Sequence, residues 1–228
     1  MRKMQAVAGI VFLLAAHGIA HAADSTGDAK SFEAATIQLE QNATDGDFEV
    51  VVEARSEEGL AKLVVTAPDG RTIIDYNAPT GTKFGMRQFR FETPEPEDLA
   101  GLKAVYPEGV YTFEGVSGDG VALHGKSNLS HSLPAPSSVL TPAGARSVAL
   151  EDVEISWTPV KGATGYIMEI EQSDLGINIT TSLPASITSF TLPDAVLRAG
   201  RKYILAIATV GANGNSSFVE TSFTVRGK

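Results

Sequence analysis

A turn followed at once by a tyrosine that opens an alternating strand occurs twice in this chain. The first copy is Pro107-Glu108-Gly109-Val110-Tyr111 and the second is Leu197-Arg198-Ala199-Gly200-Arg201-Lys202-Tyr203. This pattern suits a tyrosine corner, in which a buried hydroxyl bonds back to the backbone at the edge of a β-sandwich. Two corners about 90 residues apart predict two sandwiches in tandem, each near the common domain size. Tyr111, Leu197 and Tyr203 are therefore expected to be structural, with Trp157 as a core residue of the second unit.

Hydrophobic periodicity agrees with that reading. Phe48, Val50 and Val52 alternate with Glu49, Val51 and Glu53, which predicts a half-buried strand over 47–54. Two further runs, 60–66 and 71–76, flank Ala67-Pro68-Asp69-Gly70, a hairpin signal because Pro presets φ and Gly accepts positive φ. Residues 94–105 break the pattern. Leu99, Leu102 and Val105 are spaced by three, and Glu95, Glu97 and Asp98 cluster ahead of them, so a short helix is expected near 95–105. A strand over 121–133 closes the first unit. Pro134-Ala135-Pro136-Ser137-Ser138 reads as a stiff linker. Beyond it, Val153, Ile155 and Trp157, then Tyr166, Met168 and Ile170, then Tyr203, Leu205 and Ile207, each mark an inward strand face. The expected organisation is a sandwich over 32–134 and a second over 135–228, all-β with little helix.

The N-terminus carries an export signal over 1–22. Arg2 and Lys3 precede an apolar run over 6–16, and Ala20-His21-Ala22 is a small-x-small cleavage site. The run is too short to span a bilayer, which takes about 20 apolar residues. Residues 23–31 are small and polar and are expected to be a disordered leader. The chain has no Cys, which excludes disulfides, thiolate metal sites and thiol nucleophiles. Net charge is −9 for the whole chain, and removing Arg2 and Lys3 leaves 16 basic against 27 acidic side chains. The excess sits in the first unit, with 8 basic and 17 acidic side chains over 32–134 against 7 and 8 over 135–228. Such a surface disfavours nucleic acid and anionic membrane as partners.

The second unit resembles a fibronectin type III domain. The residues that carry the likeness are Pro136 near its start, Trp157 in the second strand, Tyr166 in the third, Leu197 with Tyr203 at the corner, and the Asn213-Gly214 turn before the last strand. The resemblance implies a seven-strand sandwich used for adhesion, spacing or partner binding. Where some relatives carry an Arg-Gly-Asp attachment loop, this chain reads Gly211-Ala212-Asn213-Gly214-Asn215, so that mode of attachment is not implied. The first unit is only generically immunoglobulin-like.

Candidates for chemistry are few. His124 and His131 lie seven apart, on opposite faces of a regular strand, so a shared metal would need a bulge near Gly125. His131, in phase with Leu129 and Leu133, reads better as a half-buried residue near the junction. Ser130 and Ser132 flank His131 but point to the other face, and there is no nucleophile elbow. Asp45, Asp47 and Asp119 stand on turns and are weak calcium candidates, although Asp-Gly turn chemistry explains them better. Asn42, Asn128, Asn178 and Asn215 each begin an Asn-x-Ser/Thr sequon. The β-prone, uncharged stretch Ile177-Asn178-Ile179-Thr180-Thr181 suits an edge strand open to a partner.

The expected function is an exported, periplasmic or secreted, non-catalytic binding or scaffold protein of the cell envelope, presenting loops or edge strands to a protein partner. No cofactor is implied. The competing expectation is an accessory carbohydrate-binding or adhesion module with a glycan partner. Tyr76 and Phe84 are its best platforms, because most other aromatic residues lie in phase with aliphatic ones.

Overall fold

The computed structural model describes residues 29–78, 86–96, 98–142, 146–150 and 153–226. The export signal over 1–22, most of the leader, Glu97 and Phe84 lie outside the described residues. The first half contributes β1 (Lys30–Ser31), β2 (Ala34–Asn42), β3 (Asp47–Thr66), β4 (Thr72–Asn77), β5 (Met86–Glu92), β6 (Gly109–Ser117) and β7 (Ala122–Leu129), with helix α1 (Leu99–Val105) before β6. The second half contributes β8 (Val139–Thr141), β9 (Arg146–Val148), β10 (Val153–Trp157), β11 (Gly165–Gln172), β12 (Ile177–Pro184), β13 (Ser189–Leu192), β14 (Lys202–Val210) and β15 (Ser216–Val225).

The two strands expected over 47–54 and 60–66 are one. β3 runs for 20 residues and belongs to both layers of the first sandwich. Its beginning pairs with β2 and β5, its end with β4 and β6, and the register shifts between Arg55 and Leu60. Gly59, at φ 77°, lies in that shift, where a side chain would be strained. The corner gives a layer β5–β3–β2 facing a layer β4–β3–β6–β7–β1. Between them lies a core of Ile37, Leu39, Val50, Val52, Leu63, Val65, Tyr111, Phe113 and Leu129. Inward residues are thus spaced by two within each arm of β3, as a pleated strand requires.

Three boundaries differ from expectation. The leader, expected to be disordered through residue 31, ends in a strand: Lys30 and Ser31 pair in parallel with Leu123 and His124. Phe32, buried beside Phe113 with ring centroids 6.4 Å apart, anchors it. The helix begins at Leu99, later than 95, because Pro96 is still in the extended segment, its carbonyl accepting from Phe48 N. Asp98 caps the helix, accepting from Gly101 N at 2.9 Å. The strand expected to run to residue 133 stops at Leu129, and 130–138 are irregular.

The second half forms a four-strand layer, β12–β11–β14–β15, with β9 alongside β15, over a three-strand layer, β13–β10–β8. Trp157 meets Tyr166 edge-on at 5.5 Å, and Tyr203 stacks on Phe223 at 5.4 Å. Leu192, Leu197, Leu205, Ile207 and Val225 complete this second core.

The halves do not hang from a tether. β15 pairs in parallel with β2, Ser216 through Phe218 lying beside Glu40 through Asn42, so the β5–β3–β2 layer continues into β15–β14–β11–β12. Sequence periodicity gave no sign of this shared sheet.

Candidate functional site: an open edge and a carboxylate-lined joint

The tyrosines occupy corners. Tyr111 Oη donates to Pro107 O at 3.0 Å, and burial pushes its hydroxyl up to about 12, so it remains a donor. Tyr203 Oη accepts from Arg198 N at 2.9 Å and donates to Val196 O at 3.3 Å, beside the buried Leu197. Tyr166 makes a third such contact, accepting from Val160 N at 2.8 Å.

The candidates for chemistry do not converge. His124 is exposed in β7, while His131 lies past the strand end, its Nε2 at 2.7 Å from Tyr106 O and its backbone N–H donating to Glu108 Oε1. Asp119 accepts from Ser117 Oγ in the β6–β7 turn, next to the Gly59 corner, where Gly118 N meets Glu58 O and Gly59 O. Asp47 begins the same long strand twelve residues before that corner and Asp45 lies in the turn ahead of it, so the three calcium candidates are not brought together. Among the described residues no group of three or more His, Asp or Glu could hold a metal ion. Tyr76 packs against Phe89 at 6.1 Å on the first core, which leaves it a poor sugar platform.

The edge strand is open. β12 pairs with β11 over eight residues, from Gly165 opposite Pro184 to Gln172 opposite Ile177, and ends the sheet path. Ile177, Ile179 and Leu183 turn toward the second core, while Asn178 and Ser182 are exposed. Ile-Asn-Ile-Thr-Thr-Ser-Leu-Pro holds no charge. Edges that must avoid pairing carry Lys, an inward charge or a bulge, and here only the terminal Pro184 belongs to that set.

The joint is the second feature, and its centre is Asn215. This residue is 1% exposed and follows the Asn213-Gly214 turn. Its Oδ1 accepts from Leu39 N at 2.9 Å, and its Nδ2 donates to Ser130 O at 2.6 Å and Ser132 O at 2.9 Å. Ser217 Oγ donates to Pro134 O at 2.8 Å, and Asn213 Nδ2 donates to Ser132 O at 2.8 Å. The linker carbonyls are therefore held by the second sandwich. With its amide engaged, Asn215 has no room for a glycan.

Register places a row of carboxylates over this joint, on the face turned away from both cores. Glu40 lies opposite Glu49, Glu53 opposite Arg90, and Val51 opposite Glu92. Across the joint Glu40 neighbours Ser216 on β15, and Glu220 and Glu169 flank Ala206 on either side. Although the face points away from the cores, Val51, Ile167 and Ala208 are all within 3% of full burial, and Glu40 is 6% exposed. The face is thus creased along the joint, and Arg90 of the first half acts on Glu169 of the second.

Burial is the largest cause that raises the carboxyls of Glu40 to about 7, Glu49 to about 8 and Glu220 to about 7. Neighbouring acids push the same way: Glu169 and Glu92 on Glu40, Glu40 and Glu92 on Glu49, Asp45 and Asp47 on Glu220. Arg90, paired with Glu92 at 2.5 Å, opposes the rise at Glu40 and Glu49. The buried Glu169 Oε1 has no hydrogen-bond partner.

Sequence reasoning found Glu49 and Glu53 on an outer face but not what they meet. One signal was available. The apolar run 203–208 is unbroken, the mark of a strand buried on both faces, and Ala206 and Ala208 are indeed buried beneath the crease.

No family model and no curated protein matches this chain. Solved structures do. A two-domain fibronectin type III segment of chicken tenascin aligns at 14% identity and TM-score 0.33, covering 82% of this chain and 97% of that one. The fibronectin type III domain of human collagen α-1(XX) aligns at 24% identity and TM-score 0.31, covering 42% and 86%. An Fn3-like protein from Clostridium thermocellum aligns at 20% identity and TM-score 0.29, covering 42% and 98%. What the chain is similar to is therefore a set of fibronectin type III structures. The architecture itself rests on the strand pairing described above: an all-β chain of sandwich layers.

Proposed function

We propose that this chain is a non-catalytic binding or scaffold protein of the cell envelope, exported to the periplasm or medium, that takes an extended segment of a protein partner onto β12. The observation that carries the reading is the eight-residue edge without a charge. Backbone N–H and C=O groups along such an edge are unpaired, and a partner strand satisfies them by extending the sheet. The second core and the β11–β12 ladder support the scaffold role, because they hold the edge in place. Export rests on the signal pattern over 1–22 and the absence of Cys. The carbohydrate reading gains nothing from Tyr76, which is occupied by Phe89.

The test uses two neighbouring prolines. On an edge strand successive N–H groups alternate between the sheet and the outside. Of Thr180→Pro and Thr181→Pro, one removes a bond to β11 and loses stability, while the other removes only an outward donor and folds normally. With a photo-crosslinker at Asn178, wild-type protein is expected to give partner adducts that the well-folded proline variant lacks. Adducts of equal yield in that variant refute the proposal.

A further inference from the structure

The crease presents charges from both halves to one another. From the first half come Glu40 on β2, Asp45 in the following turn, Asp47, Glu49 and Glu53 on β3, Arg90 and Glu92 on β5, and Glu95 just beyond. From the second half come Glu169 and Glu171 on β11 and Glu220 on β15. Two arginines act on these acids: Arg90, already paired with Glu92, and Arg55, which acts on Glu53 and is paired with Glu33, while Lys202 lines a hollow beside Glu171 at the far edge. Ionised together, Glu40 and Glu49, which lie opposite one another on β2 and β3, would set like charges side by side in a partly dry setting, where repulsion is several times stronger than in water.

The hydrogen bonds of the joint run along the β2–β15 seam, from the linker at one end to the turn after β2 at the other. Asn215, Asn213 and Ser217 clasp Ser130, Ser132 and Pro134, while Ala43 N donates to Phe218 O at 2.8 Å and Glu220 N to Thr44 Oγ1 at 2.7 Å. These bonds keep the halves connected whether the crease is open or closed. The β2–β15 pair is therefore the natural axis of rotation, with attachment along it and titratable groups above it.

We propose that the crease is a proton-operated joint: it stays closed while its carboxyls are neutral and opens as they ionise. The ionising groups are Glu40, Glu49 and Glu220, and their carboxyls lose protons near neutral pH because burial and neighbouring acids hold them up. Three groups releasing protons over the same interval make the response steeper than one. Opening changes the angle between the sandwiches without unfolding either, since the crease carboxylates belong to neither core and the apolar residues beneath them, Ile167, Ala208 and Val210, form a separate cluster.

The chain has no cysteine, so two can be introduced for spin labels. Asp75→Cys on β4 and Lys161→Cys in the second half are both exposed and away from the crease. Pulsed electron resonance on the full chain is expected to give one narrow distance at pH 5.5. At pH 8.5 a distribution shifted or broadened by several ångströms is expected. The variant Glu40→Gln/Glu49→Gln/Glu220→Gln, which mimics the protonated crease, is expected to keep the low-pH distance at both values. Identical distributions at the two pH values in the otherwise wild-type protein overturn the proposal, as does a triple variant that shifts as much as wild type. Glu49→Gln alone is expected to reduce the shift, and an undiminished shift counts against the joint even where the triple variant does not fold.

Discussion

Replacing Asn215 by alanine tests the joint most directly. The side chain is 1% exposed and makes three hydrogen bonds, of 2.9, 2.6 and 2.9 Å, to Leu39 N, Ser130 O and Ser132 O. All three partners belong to the first half or the linker. Alanine leaves the Leu39 N–H and the Ser130 carbonyl short of a partner, while Ser132 O keeps its bond from Asn213 Nδ2. One orphaned buried group costs about 1–3 kcal/mol, and water entering the vacated space recovers part of it, so a net loss of roughly 2–5 kcal/mol is expected. The chain supplies its own probes. Trp157, the single tryptophan, is buried in the second core and its fluorescence reports that half alone, whereas far-ultraviolet circular dichroism reports both. In urea the wild-type protein should lose both signals together. With an m-value of about 2 kcal/mol/M, the variant's first transition should fall by about 2 M, and the two signals should separate. Coincident curves displaced by less than about 0.5 M would falsify the claim that this amide couples the sandwiches.

Other consequences follow from the same geometry. Tyr203→Phe removes one donor and one acceptor at a buried corner, and about 1–2 kcal/mol of stability should go with them, read from Trp157 fluorescence in urea. Gly125→Ala would put a Cβ 2.6 Å from Ala35 Cβ and 3.2 Å from the Phe32 ring, so an overpacking loss of about 1–3 kcal/mol is expected, and an unchanged melting curve refutes that close approach. Raising pH should weaken the fold. Glu40, Glu49 and Glu220 hold protons when folded that the unfolded chain has already released at 4.5, so stability is greatest below that value and declines as pH passes 7 to 8. Urea midpoints at pH 5.5 and 8.5 measure the slope, and Glu49→Gln should flatten it.

The legible part of this fold was local. Alternation in Val153-Glu154-Ile155-Ser156-Trp157 and in the residues after Tyr203 reports which side chains face a core, because a strand has a period of two whatever its neighbours are. Pro68-Asp69-Gly70 and Asn213-Gly214 report turns, because their backbone preferences are intrinsic. The open edge at 177–181 was also readable, from composition alone. What escaped was pairing at long range. That β3 is one strand bent at Gly59 depends on which neighbours take its two arms. That Glu40 lies beside Ser216 depends on a contact across 176 positions, for which neither segment carries a local mark. The carboxylate row followed from that contact, so it was hidden for the same reason. Asn215 was read as the tail of a turn and a sequon, and its amide bonds the other half of the protein.

The pairing of Ser216–Phe218 with Glu40–Asn42 also dictates the order of assembly. Each sandwich can collect its own core as its strands emerge, but β2 must wait, with one side unpaired, until residues 216–218 have been made. Closing so large a loop adds an entropic delay, though a modest one since that cost grows only with the logarithm of length. Through that interval β2 is an exposed edge able to pair with a strand from another copy, so the arrival of β15 acts as the molecule's own chaperone and ends that hazard.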